Sequence, residues 1–125
     1  MSLEKIRVSK TARDQLVTIK RRTGIRQWNI ACRWGLCVSL AEPTVPRQDK
    51  IAADSTVEMT WHTFAGEYEN VYLALLKQRC IDDAIEPTEE NVAELFKLHL
   101  HRGIGYLAGD PTLKSIEALV SKSTV

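Results

Sequence analysis

The sequence has no apolar run long enough to cross a bilayer, and no apolar stretch near its start of the kind a secretory signal carries. The expectation is a mature cytoplasmic chain with no membrane partner. Cysteine is scarce: Cys32, Cys37 and Cys80 are odd in number and lack metal-ligand spacing, which argues for reduced core thiols over a disulfide framework or a zinc site. A phosphate-cradling glycine loop, a nucleophile elbow and a dinucleotide fingerprint are all missing. There is no internal repeat and no low-complexity segment. What remains is 125 residues, 44% hydrophobic and 26% charged, an ordinary composition at a length that supports one domain over residues 1–125.

Net charge is also nearly absent, at +1, but the total hides a division. Residues 1–50 hold eleven Lys and Arg against four acids, a net +7, whereas residues 51–125 hold six bases against twelve acids, a net −6. A basic half on a near-neutral chain points to a localised polyanion site. The plainer alternative is that the halves neutralise each other, within one chain or between copies.

The basic half also carries the clearest pattern. Lys5-Ile-Arg-Val-Ser9 alternates polar with apolar side chains, so a strand there has a wet cationic face and a dry face of Ile6 and Val8. A lone strand needs a partner, and the economical one is the same strand from a second copy, the ribbon-helix-helix plan. Two helices are predicted next, over 10–23 and 27–40, divided at Gly24. Ser9 or Thr11 suits the first N-cap, and Ala12, Leu16 and Ile19 form a single buried stripe. Lys20, Arg21 and Arg22 suit the negative end of that helix, though with Arg26 they exceed what a cap requires. The second helix is apolar nearly all round, with Trp28, Ile30, Trp34, Leu36, Val38 and Leu40. In a short chain its second side is most easily covered by another subunit, so oligomerisation is expected.

Residues 4–43 therefore read as a ribbon-helix-helix-like unit, and 56–120 as a helical extension, giving a mainly α fold. In the extension, Val57-Glu-Met-Thr-Trp61 alternates as a short strand. A helix follows over 65–80, with Tyr68, Val71, Tyr72, Leu75 and Leu76 taken as inward. Pro87-Thr88 opens another, expected to end at Gly103-Ile-Gly105. A last amphipathic stretch contains Leu113, Ile116, Leu119 and Val120.

Chemistry is thin outside the basic set. His99 and His101 are two apart, a spacing that points their side chains in different directions on a helix, so packing or capping fits them better than metal binding or catalysis. Asp82, Asp83, Glu86, Glu89, Glu90 and Glu94 could in principle hold magnesium for phosphodiester cleavage, but carboxylates around a helix start also complement its dipole. The candidate DNA-binding set is Lys5, Arg7, Lys10, Arg13, Lys20, Arg21, Arg22 and Arg26. Amides near 25–28, at the start of the second helix, add a possible phosphate clamp. Trp28 is read as core, with stacking on an exposed base as the alternative. No cofactor and no metal are expected.

The blocks Lys20-Arg-Arg-Thr-Gly-Ile25, Trp28-Asn29, Cys32-Arg33-Trp34, Cys37 and Ser39-Leu-Ala-Glu-Pro43 closely resemble the DndE family of DNA sulfur-modification proteins. So do Val57-Glu-Met-Thr-Trp61, Phe64, Gly66-Glu-Tyr68, Leu75-Leu-Lys-Gln-Arg-Cys80 and His99-Leu-His-Arg-Gly103-Ile-Gly-Tyr-Leu107. The resemblance covers residues 4 to 108 and leaves 109–125 unmatched. It implies a part in bacterial DNA phosphorothioation, a ribbon-helix-helix-related fold, a homotetramer, and binding of double-stranded DNA with a preference for nicks through surface lysines. By position those would be Lys5, Lys10 and Lys20, with Arg21 and Arg22 assisting. It also implies partner proteins that carry the sulfur chemistry: a cysteine desulfurase, an iron-sulfur sulfurtransferase and an ATPase.

The expected function is thus a DNA-binding accessory protein of that system, with enzymatic activity left open. The alternatives are a metal-dependent nicking endonuclease built on the acidic residues, and a scaffold that docks only proteins.

Overall fold

The computed structural model describes residues 4–48 and 50–113, and the order of elements is β1 (Lys5–Arg7), α1 (Lys10–Thr23), α2 (Trp28–Ala41), β2 (Glu58–Thr60), α3 (Trp61–Ala65), a 3₁₀ turn over Gly66–Tyr68, α4 (Glu69–Asp82) and α5 (Glu89–Ala108).

 The prediction of a mainly α chain, with one short strand and two helices leading into a helical extension, matches this order. The last amphipathic stretch lies outside the described residues, except for Leu113, which is buried.

Local signals account for most element ends. Ser9 caps α1, its hydroxyl accepting the Ala12 N–H at 3.0 Å. Gly24 closes the helix in the left-handed region at φ 78°, returning its N–H to the Lys20 carbonyl. Thr60 and Thr88 cap α3 and α5 in the way Ser9 caps α1. The helix predicted over 65–80 is interrupted at Gly66, where φ is 58°. The Arg33 guanidinium occupies the space a Cβ there would need, and donates to the carbonyls of Phe64 and Thr63.

Three expectations are corrected. First, β1 does not need a second copy for its strand partner: it pairs antiparallel with β2, with Ile6 opposite Met59. The sequence signal for β2 was there, but nothing local linked two segments some fifty residues apart. Second, α5 runs through Gly103 and Gly105 to Ala108. Gly103 is a packing contact, because a Cβ on it would run into the carbonyl oxygen of Gly35 in α2. The two helices touch backbone to backbone there, and tertiary packing overrides the usual cost of glycine within a helix. Third, Tyr68, Val71 and Leu75 face outward, at 53%, 55% and 47% exposed, while Leu76, Arg79 and Cys80 form the inward side of α4.

The core lies between α2 and α5, with α1 covering one side. Trp61, Phe64, Tyr72 and Phe96 form an aromatic cluster with centroid separations of 5.1 to 5.5 Å. Cys32 and Cys80 are buried free thiols, and burial pushes Cys32 up to about 12. Cys37 departs from the core-thiol expectation: it is exposed, and it shares a hydrogen bond with Tyr72.

Candidate nucleic-acid interface

Helical spacing puts Lys10, Arg13, Val17, Lys20 and Arg21 on one outer face of α1. Leu16 and Ile19 point the other way into the core, both fully buried. Lys10, Arg13 and Arg21 are exposed, and Lys20 is half-buried with its ammonium 3.8 Å from the centroid of the Trp28 ring. That contact gives Trp28 a structural use as a platform for a cation. Arg13 also reaches its neighbour Asp14 at 3.4 Å, an exposed pairing of little strength. Arg26 is exposed in the loop that leads into α2.

The other candidates are differently placed. Arg22 is turned inward over the end of α5, donating to the carbonyls of Ala108 at 3.0 Å and Asp110 at 3.4 Å. It satisfies a helix end that would otherwise leave its carbonyls unpaired. On β1, the Arg7 guanidinium pairs with the Glu58 carboxylate of β2, and Lys5 approaches the same carboxylate at 4.0 Å. Arg7 holds Glu58 below the usual carboxylate range. One acid shared by two bases leaves the ribbon a net single positive charge.

Two bases outside the predicted set stand near Lys10. Arg47 and Lys50 line the same hollow of about 490 Å³ at the start of α1, with Asp54 accepting the Lys10 N–H at 2.8 Å. Their charge was legible in the sequence, but the linker gave no periodicity that could place them. At the start of α2, Gln27 makes no side-chain cap and the first turn has no acid, though the Ile25 N–H is taken by the Thr23 hydroxyl at 3.3 Å.

The histidines sit within the fold. His101 accepts the Ser9 N–H through Nε2 at 3.2 Å and donates from Nδ1 to the Lys97 carbonyl at 2.8 Å, and burial lowers its pKa. His99 is fully buried. Arg102 donates to the Ser39 hydroxyl at 2.8 Å, and that hydroxyl meets His99 Nδ1 at 2.7 Å. Burial, reinforced by Arg102 and Arg79, pulls His99 down to about 4. This Ser–His pair is sealed from any substrate. Of the acidic candidates, Asp83 is paired with Arg79 and Asp82 accepts from Gln78. Among the described residues, no three His, Cys, Asp or Glu side chains come together in a way that could hold a metal ion. No described helix is long and apolar enough to cross a membrane.

Fold and site together define a small, mainly α protein with a two-stranded ribbon, whose first helix turns a cationic face outward. The chain belongs to the DndE family of DNA sulphur modification proteins, whose family model matches residues 5–115. Its fold is similar to that of DndE from Escherichia coli B7A, a protein involved in DNA phosphorothioation modification. That likeness has a TM-score of 0.68 and 24% identity, covering 83% of this chain and 95% of the other. A glycine-to-lysine double mutant of DndE is similar at a TM-score of 0.65 and 22% identity, covering 86% of this chain and 98% of that one. No curated protein matches the chain.

Proposed function

We propose that this chain is a DNA-binding accessory protein of the phosphorothioation machinery, acting beside the proteins that carry the sulfur chemistry. The observation that carries the reading is the outer face of α1, where Lys10, Arg13, Lys20 and Arg21 lie within one stripe about 20 Å long. Cations along such a stripe displace counterions from a phosphate backbone, each contact adding about 0.9 to the salt slope. Arg26, Arg47 and Lys50 extend the field at its two ends. Lys5 and Arg7 contribute less while Glu58 holds them.

The proposed working form is a homo-oligomer, with a tetramer as the expected size. Tyr68 in the 3₁₀ turn and Val71 and Leu75 on α4 leave apolar surface exposed, and α4 is linked to Cys37 of α2 through the Cys37–Tyr72 hydrogen bond. An apolar strip of this kind on a small protein favours burial against another copy. The preference for nicks rests on mechanics: a nick lowers the cost of bending a duplex onto a fixed array of charges.

The test is a salt-dependent binding titration of nicked, gapped and intact duplexes, run with mass determination in solution. The reading expects a steep salt dependence, gapped duplex bound at least as well as nicked, and intact duplex bound more weakly. Equal binding of all three at matched salt would remove the nick preference. A stable monomer would remove the oligomer. Cutting of supercoiled plasmid that survives rigorous purification and is abolished by EDTA would favour the nicking endonuclease instead.

A further inference from the structure

The ribbon has a used edge and an open one. Val8 donates to Val57 and Trp61 donates to Glu4, so the hydrogen-bonded pairs of the ladder are 8 with 57, 6 with 59 and 4 with 61. In an antiparallel pair such positions alternate with non-bonded ones, which here are Lys5 with Thr60 and Arg7 with Glu58. The N–H and C=O groups of Lys5 and Arg7 therefore point away from β2. Among the described residues, no group takes them up.

A groove of about 390 Å³ lies on that side. It is lined by all three residues of β1 and by one stripe of α5, including Ala93, Phe96 and Lys97, and by no residue of β2. Glu90 and Glu94 of α5 also line it. An unpaired strand edge beside a partly apolar groove is the arrangement used when an extended segment adds to a sheet.

We propose that the open edge of β1 is a docking site for an extended segment of a partner protein, which adds as a third strand with acidic residues opposite Lys5 and Arg7 and apolar residues turned into the groove. The charges select the occupant. A second copy of β1, added antiparallel through the same edge, sets Lys5 against Arg7, Arg7 against Arg7 or Lys5 against Lys5, according to register. Like charges directly opposite destabilise a strand pair, and opposite charges stabilise it. The carboxylates of Glu90 and Glu94 offer acceptors for N–H groups on the segment's outer edge. This proposal is independent of the DNA reading, which rests on α1.

The experiment is backbone amide exchange, resolved by NMR on the full chain, with eight-residue peptides that alternate Glu with Val or Phe. A control panel carries Lys in place of Glu. Saturation with the acidic peptides is expected to slow exchange at Lys5 and Arg7 about tenfold or more, with little change at Ile6, which is already bonded to Met59. Lys5→Pro removes one open-edge donor and leaves the bonds to β2, so it should weaken peptide binding about tenfold, against about threefold for Lys5→Gln. Protection at Ile6 reports whether each variant keeps its ribbon; if Lys5→Pro loses it, the wild-type exchange decides alone. The proposal is overturned if no acidic peptide slows Lys5 and Arg7, if the Lys panel does so equally, or if a ribbon-intact Lys5→Pro binds undiminished. It also fails if both amides are already protected without peptide. Protection that grows with protein concentration would assign the edge to a second copy, and protection lost from a chain ending at residue 113 would assign it to the chain's own tail.

Discussion

Two groups of basic residues stand a few positions apart in sequence, on β1 and on α1, and the fold treats them differently. Lys5 and Arg7 share the carboxylate of Glu58, which arrives on β2. Lys10, Arg13 and Arg21 are exposed on a helix whose face holds a single acid, Asp14. The difference teaches that a count of cations overstates the surface they offer. What matters is whether tertiary structure brings an acid or a carbonyl to each one, and Arg22, spent on the end of α5, makes the same point within α1 itself.

The largest expected effect breaks the comparison from the α1 side. Replacing Lys10, Arg13 and Arg21 together by Glu should lower affinity for nicked duplex about a hundredfold or more and reduce the salt slope by about 3, read by fluorescence anisotropy. An unchanged slope would leave the chain as a protein-docking scaffold.

Next in size is an effect that separates surface from core. His99 stays neutral when folded down to about pH 4, while the unfolded chain takes up its proton near the ordinary value of 6.5. Its neutral burial thus contributes stability that is present above that value and lost as pH falls from 6.5 toward 4. The loss should approach about 3 kcal/mol by urea titration, and α1 surface variants should share it unaltered.

Arg22→Ala should cost about 1 to 3 kcal/mol of stability, because the last carbonyls of α5 lose their donor. Its effect on the salt slope should be smaller than that of Arg21→Ala. The reverse order would return Arg22 to the DNA-facing set. The smallest effect sharpens the β1 side: Glu58→Gln releases Arg7 and Lys5, and should raise DNA affinity a few-fold with a slope increase of about 1. No gain would mean that the ribbon lies away from the duplex.

Much of the fold was legible locally. The Ser9 cap, the apolar stripe and Gly24 gave α1 its observed limits, and Pro87-Thr88 opened α5 where expected. What escaped prediction depended on distant residues. Gly103 signals a helix end by propensity, and only the approach of Gly35 turns it into a contact. Tyr68, Val71 and Leu75 are apolar enough to be core, yet the inward side of α4 is already filled by Leu76 and Cys80. For the candidate site, the sequence identified the basic segment but could not show that Arg22 and Arg7 have intramolecular uses, nor that Arg47 and Lys50 fold back beside Lys10.

The meeting of Gly35 with Gly103 has a mechanical consequence. With no side chain between them to repack, α2 and α5 cannot slide or separate by small steps, and Arg22 fastens α1 to the end of the same α5. The distance from the cationic stripe on α1 to the outer side of α2 is therefore a fixed length. If copies join there as proposed, the spacing between successive charged faces would be a rigid gauge, and the compliance needed to match it would have to come from the proposed DNA partner.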